Sequence, residues 1–383
     1  MILDNSKISG KRFMFTIAFF LQSSSLLTAF LNTVIKNESW IAVVFAIIIC
    51  IPLIWFYRSF MLAFPDKNLV QVCEVAYGKT WGKVISCLFA WFFLTLSALN
   101  VSDLGHFTNL TVMHKTPSTI LILVCIFVAA WAVRHGLRVV TRYSELFVLF
   151  EFFVLAFFFI LIANQVDPKN FLPLFNQPFK KYVQGVHLSC TIPLGEVVVM
   201  LMLTPNLKID GKKLGKYWFL GVGLGMIAVL GVLMRDIAIL GNTISLFKLP
   251  GLVTIRLVSM GEALSRMEIL FALVMIILIF FKVTLLVYIT TMTFAYIFET
   301  KSYKHLALVT GILVTAYIPF YVKSEVENLE LARRVTPFVW MFFEFILPFV
   351  TFLVAKARQK ISGNAPQSKG DKILQKSPQQ QEV

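Results

Sequence analysis

Charge is scarce in this chain. Of its 383 residues only 14% are Asp, Glu, Lys or Arg, and 58% are hydrophobic. Soluble domains carry nearer ~25% charged residues, so the composition excludes an ordinary water-soluble enzyme. Cysteine chemistry is lacking too. Cys50, Cys73, Cys87, Cys125 and Cys190 are odd in number, lie mostly in or beside apolar stretches and show no CxxC spacing. That argues against a disulfide scaffold or a zinc site. His106, His114, His135, His187 and His305 are scattered without metal-ligand spacing, and there is no nucleophile triad or phosphate loop. No cofactor, no metal and no catalytic residue is expected.

What the chain has instead is long uncharged runs, at about 13–35, 40–61, 81–103, 118–133, 143–163, 182–203, 217–240, 267–298, 305–322 and 336–355. A helix needs about 20 apolar residues to cross a hydrocarbon core of roughly 30 Å. The runs are far too long for barrel strands, the other structure that satisfies its backbone in lipid. The expected fold class is an all-α integral membrane protein of ten transmembrane helices. Lys7, Lys11 and Arg12 ahead of the first run resemble a signal peptide, but no A-x-A site follows. The run therefore reads as an uncleaved first helix.

Lys and Arg set the orientation. With the N-terminus inside, 22 of the 35 fall on the inner side and 12 on the outer, and Lys282 lies within a span. Both termini are expected in the cytoplasm. The bias accounts for the net charge of +15 without nucleic acid, and membrane lipid becomes the first partner. The connections at 64–80, 164–181 and 241–265 are long enough to hold structure of their own. The domain reading is one ten-helix transmembrane domain over 1–356, with repeats at about 7–163 and 182–356. A tail at 357–383, built of Gln, Ser, Lys and Pro, is expected to be disordered. Five helices per repeat is odd, so the second repeat runs inverted, and such transporters bind ligand near mid-bilayer at broken helices.

Three places in the spans invite function. The sixth run carries Thr191, Pro193, Gly195 and Glu196. Pro193 removes a backbone donor and Gly195 is permissive, so a helix break is expected at these two residues. An intramembrane carboxylate beside it is a functional candidate; a protonated acid bonded to a neighbouring helix is the plainer alternative. The first run carries Gln22, Ser23, Ser24 and Ser25, either an unwound, hydroxyl-lined site or a small-residue packing face. Lys282 lies deep in the eighth run, where Glu196, Glu151 and Glu344 are possible partners in a coupling or structural charge cluster. Alternatively, its ammonium bonds to freed carbonyls of the first helix, as a fixed cation. Gly221-Val-Gly-Leu-Gly225 suggests a nucleotide fingerprint, but inside a span it reads as a small-xxx-small packing face.

The segment Pro193-Leu-Gly-Glu196, with the apolar stretch to Thr204-Pro205, resembles the corresponding helix of GerAB-type endospore germination permeases, the B subunits of spore germinant receptors. Gly136 to Glu145, Phe171-Leu-Pro173, and Pro250 through Glu262 to Arg266 are similar to further family segments in the same order. Lys282 falls where such proteins often carry a lysine. In the first helix, Gln22 to Ser25 stand where the family usually has a glycine-containing break. The likeness runs over most of 7–356. It implies an amino acid–polyamine–organocation transporter fold of the LeuT-like 5+5 type with broken helices 1 and 6. It further implies a nutrient, often an amino acid, as ligand, A and C subunits as partners, and the spore inner membrane as location. The ligand would meet Gln22, Ser23, Ser24, Ser25, Thr191, Gly195 and Glu196. A proton-coupled amino acid transporter of the same fold and a scaffold with a decayed site are the competing readings.

Overall fold

The computed structural model describes Asp4 and residues 6–257, 267–321 and 325–363. Changes of helical type, more than loops, divide its apolar runs. The first gives α1 (Gly10–Gln22), a 3-10 turn over Ser23–Leu27 and α2 (Thr28–Ile35). The second gives α3 (Ser39–Ile49) and α4 (Ile51–Ala63), parted at Cys50. Pro52, in the first turn of α4, has no N–H with which to continue α3. The expected connection at 64–80 is largely helix. α5 (Leu69–Thr111) starts at a capping box in which Asn68 and Gln71 exchange side-chain and main-chain bonds, and it turns at Gly78, where φ is 81°. Such a φ favours glycine.

α6 (Ser118–Arg134) and α7 (Leu137–Ile162) complete the first half. α8 (Phe179–Ser189) passes into a π-helical turn over Cys190–Leu194 and a 3-10 segment over Gly195–Asn206. Pro193 cannot donate to the preceding turn, so the helix widens around it. The break expected at Pro193 and Gly195 is therefore a change of helical type, not an unwound gap. Then follow α9 (Gly211–Leu240), α10 (Pro250–Leu257), α11 (Met267–Ile297), α12 (Leu306–Tyr321), α13 (Glu325–Arg334) and α14 (Thr336–Met341). A second π turn, Phe342–Ile346, leads to α15 (Leu347–Gly363). Helix thus occupies the first residues of the expected tail, whereas 364–383 lie outside the described residues, as do 258–265 of the expected connection at 241–265.

Among the described residues seven helical stretches are long and apolar enough to cross a membrane, and α6 and α12 are shorter apolar helices besides. The surface is inverted relative to a soluble protein. Ile160 is 75% exposed and Phe320 80%, while Gln22, Lys282 and Glu344 are at most 1% exposed. Exposed apolar patches of this extent belong against hydrocarbon, and the protein is a multi-pass membrane protein. α11 runs along α5, and α1 lies on α9. The glycine face expected in α9 is where α1 rests. A Cβ on Gly221 would stand 2.7 Å from the Met14 carbonyl oxygen, and one on Gly225 2.6 Å from Leu21 Cβ. A two-residue parallel pair, β1 (Ile8–Ser9) and β2 (Leu207–Lys208), joins the start of the chain to the end of the 3-10 segment.

Candidate functional site

The helical changes in the first and sixth runs face α11 at one buried charge cluster. In the first run the serines divide their work. Ser23 Oγ donates to Phe20 O at 2.6 Å and Ser25 Oγ to Gln22 O at 2.6 Å, so carbonyls near the change of helical type are satisfied locally. Ser24 Oγ is left to accept from Lys282 Nζ at 2.8 Å. The same ammonium donates to Glu196 Oε2 at 2.5 Å and stands 4.8 Å from the centre of the Phe20 ring. Lys282 thus meets a hydroxyl and Glu196, one of the three carboxylates read as possible partners, and the alternative reading of main-chain carbonyls is replaced by the Ser24 hydroxyl.

Glu344, on the second π turn, packs its carboxyl against Gly195, where a Cβ would fall on it. Among the described residues neither of its oxygens has a hydrogen-bond partner. Tyr57 fixes the backbone there by donating to Glu344 O at 2.7 Å. Among the described residues the Gln22 amide is likewise buried with both polar atoms unpartnered, as is the Ser189 hydroxyl. Buried polar groups without partners are uncommon and costly. Ser24, Ser189, Pro193, Leu31, Ile192 and Met226 line a cavity of about 20 Å³. That holds a water and no nutrient, so this conformation is closed around its site.

The structure brings Ser24, Gly195, Glu196, Lys282 and Glu344 together. Ser23 and Ser25 adjoin them with hydroxyls bonded to main-chain carbonyls. Thr191 Oγ1 donates to His187 O at 2.9 Å. Glu151 lies in α7 with one carboxyl oxygen unpartnered, and no bond joins it to Lys282. Sequence reasoning missed Ser189. Its signal was its position four residues before Pro193, the residue that cannot donate to its carbonyl.

A second polar knot, also missed, closes the end of the bundle that carries the N-terminus. Asp4 Oδ2 accepts from the Leu137 N–H at 3.0 Å and from the Tyr288 and Tyr303 hydroxyls at 3.1 Å each. Asn206 Nδ2 donates to Asp4 O and Ser6 O, both at 2.9 Å, and Lys7 Nζ to Pro205 O at 2.7 Å. Burial works against the Asp4 charge, but bonds from Leu137, Ser6 and Tyr288 outweigh it and hold the carboxyl below its ordinary range.

Among solved structures the chain is similar to Mhp1, a nucleobase-cation-symport-1 family transporter solved with bromovinylhydantoin. The TM-score is 0.67 at 12% identity, over 97% of this chain and 98% of that one. It is also similar to MhsT in complex with L-phenylalanine, with a TM-score of 0.62 at 14% identity over 89% and 97%. These likenesses show the fold. In sequence it is 26% identical to spore germination protein KB of Bacillus subtilis (strain 168), over 94% of this chain and 99% of that protein. It is 24% identical to the putative spore germination protein YfkT of the same organism, over 86% and 90%. The family described as "Spore germination protein" matches residues 7–327. Because that match runs over most of the chain, the protein belongs to the spore germination protein family, built on a LeuT-like transporter fold.

Proposed function

We propose that the chain binds a small nutrient, an amino acid or a molecule of similar size, between the first and sixth runs, and that binding triggers spore germination. In this reading it is the membrane subunit of a germinant receptor with A and C subunits, in the spore inner membrane, with both termini cytoplasmic. One observation carries it: among the described residues the Glu344 carboxyl, packed on Gly195 beside Glu196 of the Lys282–Glu196 pair, and the Gln22 amide, two residues from the Ser24 that Lys282 bonds, are both buried without partners. Those groups can receive a ligand's ammonium and carboxylate. Two structural neighbours, bound to L-phenylalanine and bromovinylhydantoin, support a ligand of that size. The closed cavity then implies that α2 and the sixth run part to admit it. Ser24→Phe fills the space and removes the Lys282 contact. Spores carrying it should lose the nutrient dose response at normal protein level, and an unchanged dose response would overturn the assignment.

The second reading, proton-coupled transport, is favoured by one feature. Two buried carboxyls, Glu196 and Glu344, share the neighbourhood of one ammonium, leaving a carboxyl able to exchange a proton for a cationic group. Uptake of amino acid by the purified chain alone in proteoliposomes, driven by a pH gradient, would establish transport. A response that requires partner subunits, with no uptake, supports the receptor.

A further inference from the structure

The same three elements are joined twice. At the site, Lys282 of α11 bonds Ser24 of the first run and Glu196 of the sixth. At the end that carries the N-terminus, Tyr288 of α11 donates to the carboxyl of Asp4, which leads into the first run. Asn206, which ends the sixth, donates to the Asp4 carbonyl oxygen. Asp4 and residues 6–9 thus form a strap across that end. Just inside it, Arg12 bonds Glu145 of α7 at 3.1 Å, and the Thr16 and Ser144 hydroxyls meet at 3.3 Å. At the site the helical type changes in both runs. The 3-10 turn over Ser23–Leu27 divides α1 from α2, and the π turn over Cys190–Leu194 divides α8 from the Gly195–Asn206 segment. The strap holds α1 and the Gly195–Asn206 segment. α2 and α8 lie beyond the turns, and among the described residues no hydrogen bond of the strap reaches them.

We propose that the strap is a standing seal: the nutrient enters at the α2 end and is held at the site, while the strap keeps the opposite end shut throughout, so that the chain senses without transporting. The proposal rests on the receptor reading and gives it a structural cause. Transport needs each end of the bundle to open in turn, whereas sensing needs only one. Opening the strapped end pulls the Asp4 carboxyl from Leu137, Tyr288 and Tyr303 together. It also takes Asn206 and Lys7 from their carbonyls and Ile8 from Leu207. Bonds to an ionised carboxylate are the stronger kind, and Tyr288 and Asn206 are buried, where a lost partner is not replaced by water. Opening the α2 end breaks none of these bonds, because the 3-10 and π turns let α2 and α8 move while α1 and the Gly195–Asn206 segment stay fastened.

The test is cysteine labelling of the full-length protein in nanodiscs, where a water-soluble maleimide reaches both faces. Ser144→Cys, in a Cys-free background, places a thiol at a fully buried position between the strap and the site. It should stay unlabelled while the strap is intact. Adding Asp4→Ala/Asn206→Ala should speed its labelling at least ten-fold. Ile8 and Leu207 are paired across the strap, and neighbouring strands lie about 4.8 Å apart, within the roughly 4.4–6.8 Å that a disulfide spans between Cα atoms. Ile8→Cys/Leu207→Cys added to the strap variant should therefore restore protection when oxidised and lose it when reduced, which also shows that the variant is folded. Equal labelling with and without Asp4→Ala/Asn206→Ala, fast or slow, would overturn the seal. In spores, Ile8→Cys/Leu207→Cys alone should keep the nutrient dose response after oxidation. Loss of the response there, with parent spores oxidised in parallel unaffected, would overturn the seal too, since the strap would then have to open. The labelling uses no nutrient, so it decides the seal even where Ser24→Phe overturns the nutrient site.

Discussion

At the scale of single residues, Lys282 holds two helical runs to a third. Its ammonium is fully buried between Ser24 and Glu196. Replacing it with methionine keeps the volume and leaves a buried carboxylate unpaired, at a cost of about 3–5 kcal/mol. Lys282→Met should lower the unfolding midpoint of the purified protein clearly, and adding Glu196→Gln should recover most of the loss. Equal midpoints for Lys282→Met and the parent would show that the pair does not join the runs. The residue types at this site were legible because charge inside an apolar run stands out. The partnering was not. Glu196, Glu151 and Glu344 all qualified by depth, and only packing decides that Glu196 takes the ammonium while Glu344 rests on Gly195. The serines show the same limit. Three consecutive hydroxyls look alike in sequence, yet two are taken up by the carbonyls of Phe20 and Gln22, and the middle one faces Lys282.

At the scale of elements, α9 offers three glycines in five residues with different surroundings. Gly221 and Gly225 touch α1, while a Cβ on Gly223 would meet nothing within 4 Å. Gly221→Ala should destabilise by about 1–3 kcal/mol through overpacking. Gly223→Ala should be neutral or stabilise by up to ~1 kcal/mol, since alanine costs less helix entropy. Thermal unfolding of the two variants side by side decides it, and equal behaviour would rule out the glycine face. This face was readable from the spacing of small residues. The start of α5 was readable, because Asn68 and Gln71 form a capping signature inside a connection long enough to hold structure of its own. The second π turn had the same kind of signal as the first: Pro348 cannot donate to the carbonyl of Glu344 four residues earlier, and Tyr57 takes that carbonyl instead.

At the scale of the whole molecule, one end is fastened by the N-terminal strap. The folded Asp4 carboxyl titrates below its unfolded value of about 3.9. Its contribution is complete above that value and is lost as pH falls through the lower, folded one. Hydrogen exchange at Ile8 and Ser9 should therefore accelerate as pH drops below about 4, after correction for intrinsic rates. Asp4→Asn should show fast exchange without that step, and a pH-independent parent would remove Asp4 from the role. Orientation rests on charge bias alone. In a Cys-free background, a cysteine at Asn176 should label from outside and one at Ser362 only after permeabilisation; equal external labelling would overturn it.

The strap also sets an order of events during synthesis. Ile8 pairs with Leu207, and Asp4 is held by Asn206, Tyr288 and Tyr303. The first helix can enter the membrane as soon as it is made, but its leading strand has nothing to pair with until some two hundred further residues have left the ribosome. At roughly 5–20 residues per second that is a wait of about 10–40 s. During it the bundle is open at that end, and the newborn chain is closed by its oldest residues last.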